Sequence, residues 1–354
     1  MKRFKSIALL AVAVLLGAVY LVSPAPVSAQ SSASLSIAPK KNYVIEPGKS
    51  IDDKLTIRNL DNNQPLELTL RVVDFTFTDN GGTPKLFLDD NAPQTTWSLK
   101  PFLTLPKSVV VPPSSSKTID MSVEIPANQG AGSYYSAILY GTGGGDEGGN
   151  VGLSASGVTL VFTTIPGQVN ENLLLKKFGL YDNAAKGELS GYQFVTEKEP
   201  ITIGYTLENQ GNVAEAPVGS ITIKDIFGRE RTIDNVNPTG ALALIGQTRT
   251  YKACIKLNSQ NANFEGNAAA GNTCTNPGLW PGYYRTTLDL FYGQNGNLTK
   301  EITGTGSFWY LPWWFVIAFL ILLAAVVLGV WRGVYVVRQK LSGARSRKSL
   351  RRRR

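Results

Sequence analysis

The stretch GAGSYYSAILYG, Gly130–Gly141, returns about 150 residues later as PGYYRTTLDLFYG, Pro281–Gly293. A strand written twice at such a spacing predicts a duplicated domain. Laying one Tyr-Tyr pair over the other puts Tyr135, Ala137 and Leu139 in register with Tyr284, Thr286 and Leu288. Strand alternation gives these residues one face, expected to be the core face of both copies. The opposite face reads Tyr283, Arg285, Thr287 and Asp289 in the second copy, which suits water. In the first copy it reads Tyr134, Ser136, Ile138 and Tyr140, which does not. Tyr134, Ile138 and Tyr140 therefore form a strip that needs cover. Either the chain supplies it, through a Gly-rich loop or the second domain, or the strip is a candidate partner-binding site, since large exposed apolar patches mark such sites.

The sequence around both copies is of the same kind. DKLTIRNL, LELTLRVVDFTF, KTIDMSVEI, GVTLVFTTI, ITIGYTLEN, SITIKDIF and TRTYKACIKL alternate apolar and polar residues and are rich in Val, Ile, Thr, Tyr and Phe, the signature of short half-buried strands. Turn residues separate them, among them Pro47-Gly48, Asn80-Gly81, Pro112-Pro113 and Gly211-Asn212. With no helical period in this region, the fold class is all-β: two tandem immunoglobulin-like sandwiches, expected over residues 34–167 and 168–305. The repeat extends beyond the tyrosine strand. LTIRN is followed by LTLRVVDF, and YTLEN by ITIKDIFG. YGTGGGDEGGNVG, seven of whose thirteen residues are Gly, reads as a loop inside the first domain, because the strand after it would otherwise lack a sheet. Cys254 and Cys274 are the only cysteines. In a secreted domain they are expected to form a disulfide, and their spacing does not suit Cys-x-x-Cys redox chemistry.

The ends of the chain place it in a membrane. Residues 1–29 combine Lys2, Arg3 and Lys5, an apolar run and Val27-Ser28-Ala29, the pattern of a cleaved secretory signal peptide. Residues 311–331, LPWWFVIAFLILLAAVVLGVW, carry no charge and as a helix would be about 31 Å long, enough to cross a hydrocarbon core. Trp309, Trp313 and Trp314 at one end and Trp331 at the other are candidate membrane-interface anchors. The tail, 332–354, has ten basic residues and no acidic one, which keeps it cytoplasmic and the preceding domains outside. Signal and tail hold 13 of the 35 Lys and Arg, so the remainder is mildly acidic, 22 against 26, despite a whole-chain charge of +9. The basic run belongs with lipid headgroups, and no nucleic-acid partner is expected.

Catalytic constellations are scarce. The chain has no histidine, which removes Ser-His-Asp and Cys-His machinery and most catalytic zinc sites. Paired carboxylates are what remains, and Asp74, Asp89, Asp90, Asp120 and Glu124 mostly fall at strand ends or turns, where solvated acids are expected. TDNGG and LDDNAP could offer oxygen ligands to calcium, but Asn80-Gly81 is better read as a hairpin turn. Trp97 fits core or rim packing better than a sugar platform. The chain is expected to be non-enzymatic and to need no cofactor or metal.

Glu46-Pro47-Gly48, LTIRN, VVDFTFTDNGG, VPP and IPANQGAGSYY, in that order, followed by a second sandwich, one span and a basic tail, resemble the WxL-interacting proteins of Gram-positive-type envelopes. The resemblance implies a first domain associated with peptidoglycan binding, a second associated with a host surface component, and a WxL-domain surface protein as partner. It transfers no individual ligand-binding residue. The expected function is a membrane-anchored, cell-surface binding or scaffold protein. The alternative is a secretion or assembly accessory that holds another secreted protein by strand-edge pairing.

Overall fold

β-Branched and aromatic residues at alternate positions favour the pleated, half-buried surface of a sheet, and the alternating runs become strands. The computed structural model describes residues 35–77, 84–89, 94–142, 154–182, 189–257, 274–293 and 298–351. The signal segment, TDNGG, most of LDDNAP and most of the Gly-rich loop lie outside the described residues.

The first sandwich contains β1 (Leu35–Ser36), β2 (Lys40–Val44), β3 (Ser50–Asn59), β4 (Leu66–Val73), β5 (Phe75–Phe77), β6 (Pro84–Leu86), β7 (Leu103–Thr104), β8 (Ser108–Val111), β9 (Ser116–Glu124), β10 (Gly132–Thr142) and β11 (Ser154–Ile165). Its sheets run β1-β3-β9-β7 and β2-β11-β10-β4-β8, with β5 and β6 as a separate hairpin. The second contains β12 (Leu173–Leu180), β13 (Val195–Thr196), β14 (Thr202–Asn209), β15 (Val218–Asp225), β16 (Glu230–Asp234), β17 (Thr248–Cys254), β18 (Gly282–Tyr292) and β19 (Lys300–Tyr310). Its sheets run β12-β14-β17 and β13-β19-β18-β15-β16. Helix α1 follows from Trp313 to Arg351.

The duplication is a duplication of topology. In each copy the first strand is split between the sheets. β1 is antiparallel to β3 while β2 runs parallel to β11; likewise β12 is antiparallel to β14 while β13 runs parallel to β19. The aligned asparagines that end LTIRN and YTLEN do the same work. Asn59 Nδ2 donates to Gln64 O and Val111 O while its Oδ1 accepts from Asp61 N. Asn209 Nδ2 donates to Val213 O and Ala243 O while its Oδ1 accepts from Gly211 N. Each is buried and satisfies the backbone of the turn that follows it, as buried polar groups require.

The face assignment of the doubled strand is corrected in the first copy. Ile138 and Tyr140 are 0% and 1% exposed and belong, with Tyr134 packed alongside, to the first sandwich's core with Leu55, Ile57, Val111 and Val123. They are not a surface strip. In the second copy Tyr284, Leu288, Leu290 and Tyr292 form the core, as expected. The true register therefore matches Tyr134 to Tyr284, one residue away from the Tyr-Tyr overlay. Gly132 and Gly282, each two residues before its core tyrosine, share a positive φ, +148° and +154°.

Tyr135 and Ala137 face the other way, into a third cluster formed by Val73, Phe75 and Phe162 with Leu244 of the second sandwich, and with Trp97, Ala214, Leu242 and Ile245 packed on it. The two sandwiches share this apolar seam. It explains why β10 is buried on both faces and reads as nearly continuous apolar sequence. Hydrogen bonds rim the seam. Ser133 N donates to Asn212 O (3.0 Å), Ala214 N to Ser133 Oγ (3.0 Å) and Gln247 Nε2 to Phe77 O (2.6 Å). A Cβ on Gly132 would stand 2.7 Å from Asn212 O, so only glycine lets the two backbones meet here.

The second sandwich also ends later than expected. Val195 pairs with Trp309 and Thr196 with Tyr310, which carries β19 five residues past 305. β18 and β19 then span the whole sandwich, from the seam to the start of α1.

Candidate binding surface

The last strand of the first sandwich, β11, is the element on which a binding reading can be built. One side of β11 pairs with β10 along its length, from Thr142↔Ser154 to Gly132↔Ile165. On the other side β2 covers only Leu160–Thr164, and Leu160 N donates to Pro39 O while Thr159 Oγ1 donates to Ala38 O. Among the described residues, the backbone of 154–158 thus has a ladder on one side only. Since Leu160 N–H points to the β2 side, alternation points Val158 N–H to the same, open side. The step from Gly157↔Tyr140 to Ala155↔Gly141 leaves Ser156 as an extra residue, a bulge of the kind that bends a strand edge.

β2 is fastened to the opposite sheet by a clamp. Asp53 of β3 accepts from Lys41 Nζ (2.7 Å) and from Tyr43 OH (2.5 Å), both on β2. The hydrogen bond from Lys41 and then that from Tyr43 hold the Asp53 carboxyl down at about 2, and burial with Asp53 alongside pushes the Tyr43 hydroxyl up. Upstream of the clamp the chain crosses towards β1. There Leu35 and Ile37 lie against Gly157, whose Cβ would meet them at 2.9 and 2.8 Å. The second copy has the same crossing, with Leu175 2.6 Å from where a Cβ on Gly304 would be.

Among the described residues, the carboxylates singled out in the sequence lie in separate settings. Asp74 is buried, its Oδ1 accepting from Ser98 Oγ (2.6 Å) and Ser136 Oγ (3.0 Å). It thereby pins the segment on which Trp97 stacks against Tyr135, ring centroids 6.1 Å apart, so Trp97 is a seam residue. Asp120 stands opposite Lys54, and Glu124 opposite Ser50, on the β3/β9 pair. Asp52, Lys54 and Asp120 line a surface depression of about 650 Å³ with Leu105 and Met121. Among the described residues no three Asp, Glu or Cys side chains gather where they could hold a metal ion.

One buried acid was invisible in the sequence. Glu215, 2% exposed, has a backbone bridge to Ala243 and an Oε1 with no hydrogen-bond partner among the described residues. Burial, and then the charge of Glu171, push its carboxyl up to about 7. Neither this site nor the Asp53 clamp has a local signal, because Asp53 lies on a different strand from Lys41 and Tyr43, and Glu215 sits in what reads as a turn between strands.

Cys254 and Cys274 are joined, Cα atoms 5.1 Å apart, with residues 258–273 of the loop between them outside the described residues. Trp309 lies in β19, its ring 5.1 Å from that of Tyr283. Trp313 and Trp314 open α1 exposed, and Trp331 stacks on Tyr335. Trp313–Gln339 is long and apolar enough to cross a membrane, with a mean hydropathy of 2.8.

No family model matches this chain, and no curated protein matches it. Among solved structures it is similar to the class 5 fimbriae chaperone CfaA, with 11% identity over 77% of this chain and 98% of that one and a TM-score of 0.34. It is similar to the E. coli chaperone DraB, with 13% identity over 79% and 97% and a TM-score of 0.31. A family 123 glycoside hydrolase from Clostridium perfringens matches 37% of this chain and 23% of its own, at 16% identity and a TM-score of 0.24. Likenesses this distant carry no functional argument, and none of them bears on the resemblance to WxL-interacting proteins.

Proposed function

We propose that this chain is a membrane-anchored, non-enzymatic protein of the cell envelope that holds another secreted polypeptide by strand pairing along the open half of β11. The observation that carries the reading is the half-covered edge: among the described residues, 154–158 pair with β10 on one side while β2 covers only Leu160–Thr164 on the other. An extended segment added there would gain main-chain hydrogen bonds, the physics of β-augmentation. The shared seam fixes the first sandwich on the second, and α1 ties the pair to the membrane with the sandwiches outside and the basic tail inside. A second reading, a scaffold engaging peptidoglycan or a WxL-type surface protein, is favoured by the order of motifs from Glu46-Pro47-Gly48 to IPANQGAGSYY.

Val158→Pro separates the two. Proline removes the outward N–H at an edge, where it is tolerated. The full-length chain in detergent is incubated with the secreted and surface protein fraction, and separately with purified peptidoglycan. A protein retained by the wild type and released by Val158→Pro, at unchanged thermal midpoint, supports the edge. Co-sedimentation with peptidoglycan that Val158→Pro leaves intact supports the second reading. Retention of neither refutes both.

A further inference from the structure

The end of the second sandwich nearest α1 is surfaced differently from the rest of the molecule. Among the described residues outside α1, the Phe and Trp side chains more than half exposed are Phe194 (57%), Phe227 (77%) and Trp280 (67%). The strand register brings all three to that one end. β19 runs down to Tyr310, which stands opposite Gly282 of β18 and Thr196 of β13. Trp309 N donates to Phe194 O (2.7 Å), and Trp280 precedes Gly282 by two residues. β15 stops at Asp225, opposite Tyr284. The turn that Gly228 N closes on Asp225 O carries Ile226 and Phe227 beyond the level of Tyr284, at the end where Gly282 and Tyr310 lie.

Helix α1 begins at the same place. Leu311 N still donates to Thr196 O (2.9 Å), and only Pro312 separates it from the first helical residue, Trp313. Two residues of chain reach at most about 7 Å, and the headgroup layer outside a hydrocarbon core is about 5–8 Å thick. Tips level with Tyr310 therefore stand at headgroup depth.

We propose that this end is a membrane-docking surface: Phe227 with Ile226, Trp280 and Phe194 enter the headgroup layer of the leaflet from which α1 emerges. The contact holds the second sandwich in one orientation on the bilayer. Aromatic rings favour that depth. The charges around them are of mixed sign. Arg229 is paired with Asp225 (2.6 Å) and lies over the Phe227 ring, 5.7 Å from its centre, and Lys198 is flanked by Glu197 and Glu199. The docking thus needs the interface of a neutral phospholipid and no anionic headgroup. It rests on the reading of α1 as a membrane span.

The native cysteines are joined in a disulfide, so a single new cysteine can be labelled with nitrobenzoxadiazole in the full-length chain. Phe227→Cys, Trp280→Cys, Glu301→Cys at the far end of β19 and Gly329→Cys within α1 are reconstituted in phosphatidylcholine vesicles containing spin-labelled lipid. The expected result is blue-shifted emission at 227 and 280 with quenching by a headgroup-level spin label, water-like unquenched emission at 301, and quenching at 329 by a mid-chain label. Labels at 227 and 280 that behave like 301 while 329 is quenched overturn the docking and leave the span standing. A blue shift at 227 without lipid quenching means protein covers the tip, which also overturns it. No quenching at 329 removes the span reading and the docking with it.

Discussion

Replacing Glu215 by Gln should remove a specific part of this protein's pH dependence. The carboxyl is buried at the seam end of the second sandwich, one residue from Ala214, whose N–H donates to Ser133 Oγ across the seam. Its pKa rises from 4.5 to about 7, through burial first and then the charge of Glu171, against the weaker opposing pulls of the Gly293 backbone and then Lys300. Because the folded value is the higher one, the folded state keeps its proton where the unfolded chain has lost it. The stabilisation is complete below about pH 4.5 and is lost as pH rises through about 7. A displacement of about 2.5 pH units at 1.36 kcal/mol per unit makes the loss about 3 kcal/mol. The Asp53 clamp has the opposite sign and a different window: held down at about 2, it contributes stability above its ordinary range that fades only as pH falls towards 2. Urea denaturation of the full-length chain at intervals from pH 4 to pH 8, for wild type and Glu215→Gln, isolates the effect as the difference between the two curves. That difference should move by about 3 kcal/mol in favour of the variant between pH 4.5 and pH 8. A flat difference, or one moving the other way, would refute the buried-acid reasoning.

Ile138→Asp should prevent the first sandwich from folding, because it buries an unpaired carboxylate at a position that is 0% exposed, a cost of more than about 4 kcal/mol. Limited proteolysis should then cut within residues 35–165, and a folded, protease-resistant variant would contradict the corrected face assignment. Changing both Cys254 and Cys274 to Ser opens a ring spanning 20 residues of sequence separation and should lower stability by roughly 3 kcal/mol on the chain-entropy view. A thermal midpoint equal to that of wild type would show that the bridge adds nothing to stability.

The class of the fold and the duplication were legible because alternation survives wherever one sheet face meets a core and the other meets water, as in β18. The same rule misled at β10. A strand between its own core and a neighbouring domain is apolar on both faces, and a Tyr-Tyr pair does not say which ring turns inward. That Trp309 lies in a strand was not legible, because the pairing rests on a two-residue stretch, Val195–Thr196, distant in sequence. Long-range polar contacts such as Asp53 with Lys41 and Tyr43 were not legible at all, since their partners meet only after two sheets stack. The edge of β11 was legible as a strand and not as an edge, because openness depends on where β2 stops.

β19 enters the second sandwich at the seam end and leaves at the membrane, while β12, the first strand after the linker from β11, begins at the seam. Any pull on the first sandwich is therefore taken up at Leu173 and discharged at Tyr310, at opposite ends of the same stack of strands. Tension then acts along the strands, so the ladders of β12 with β14 and of β18 with β19 are sheared as blocks and are not unzipped bond by bond. Forced opening is governed by the unfolding rate and not by equilibrium stability, so this arrangement resists a pull applied to the first sandwich longer than an unzipping geometry would.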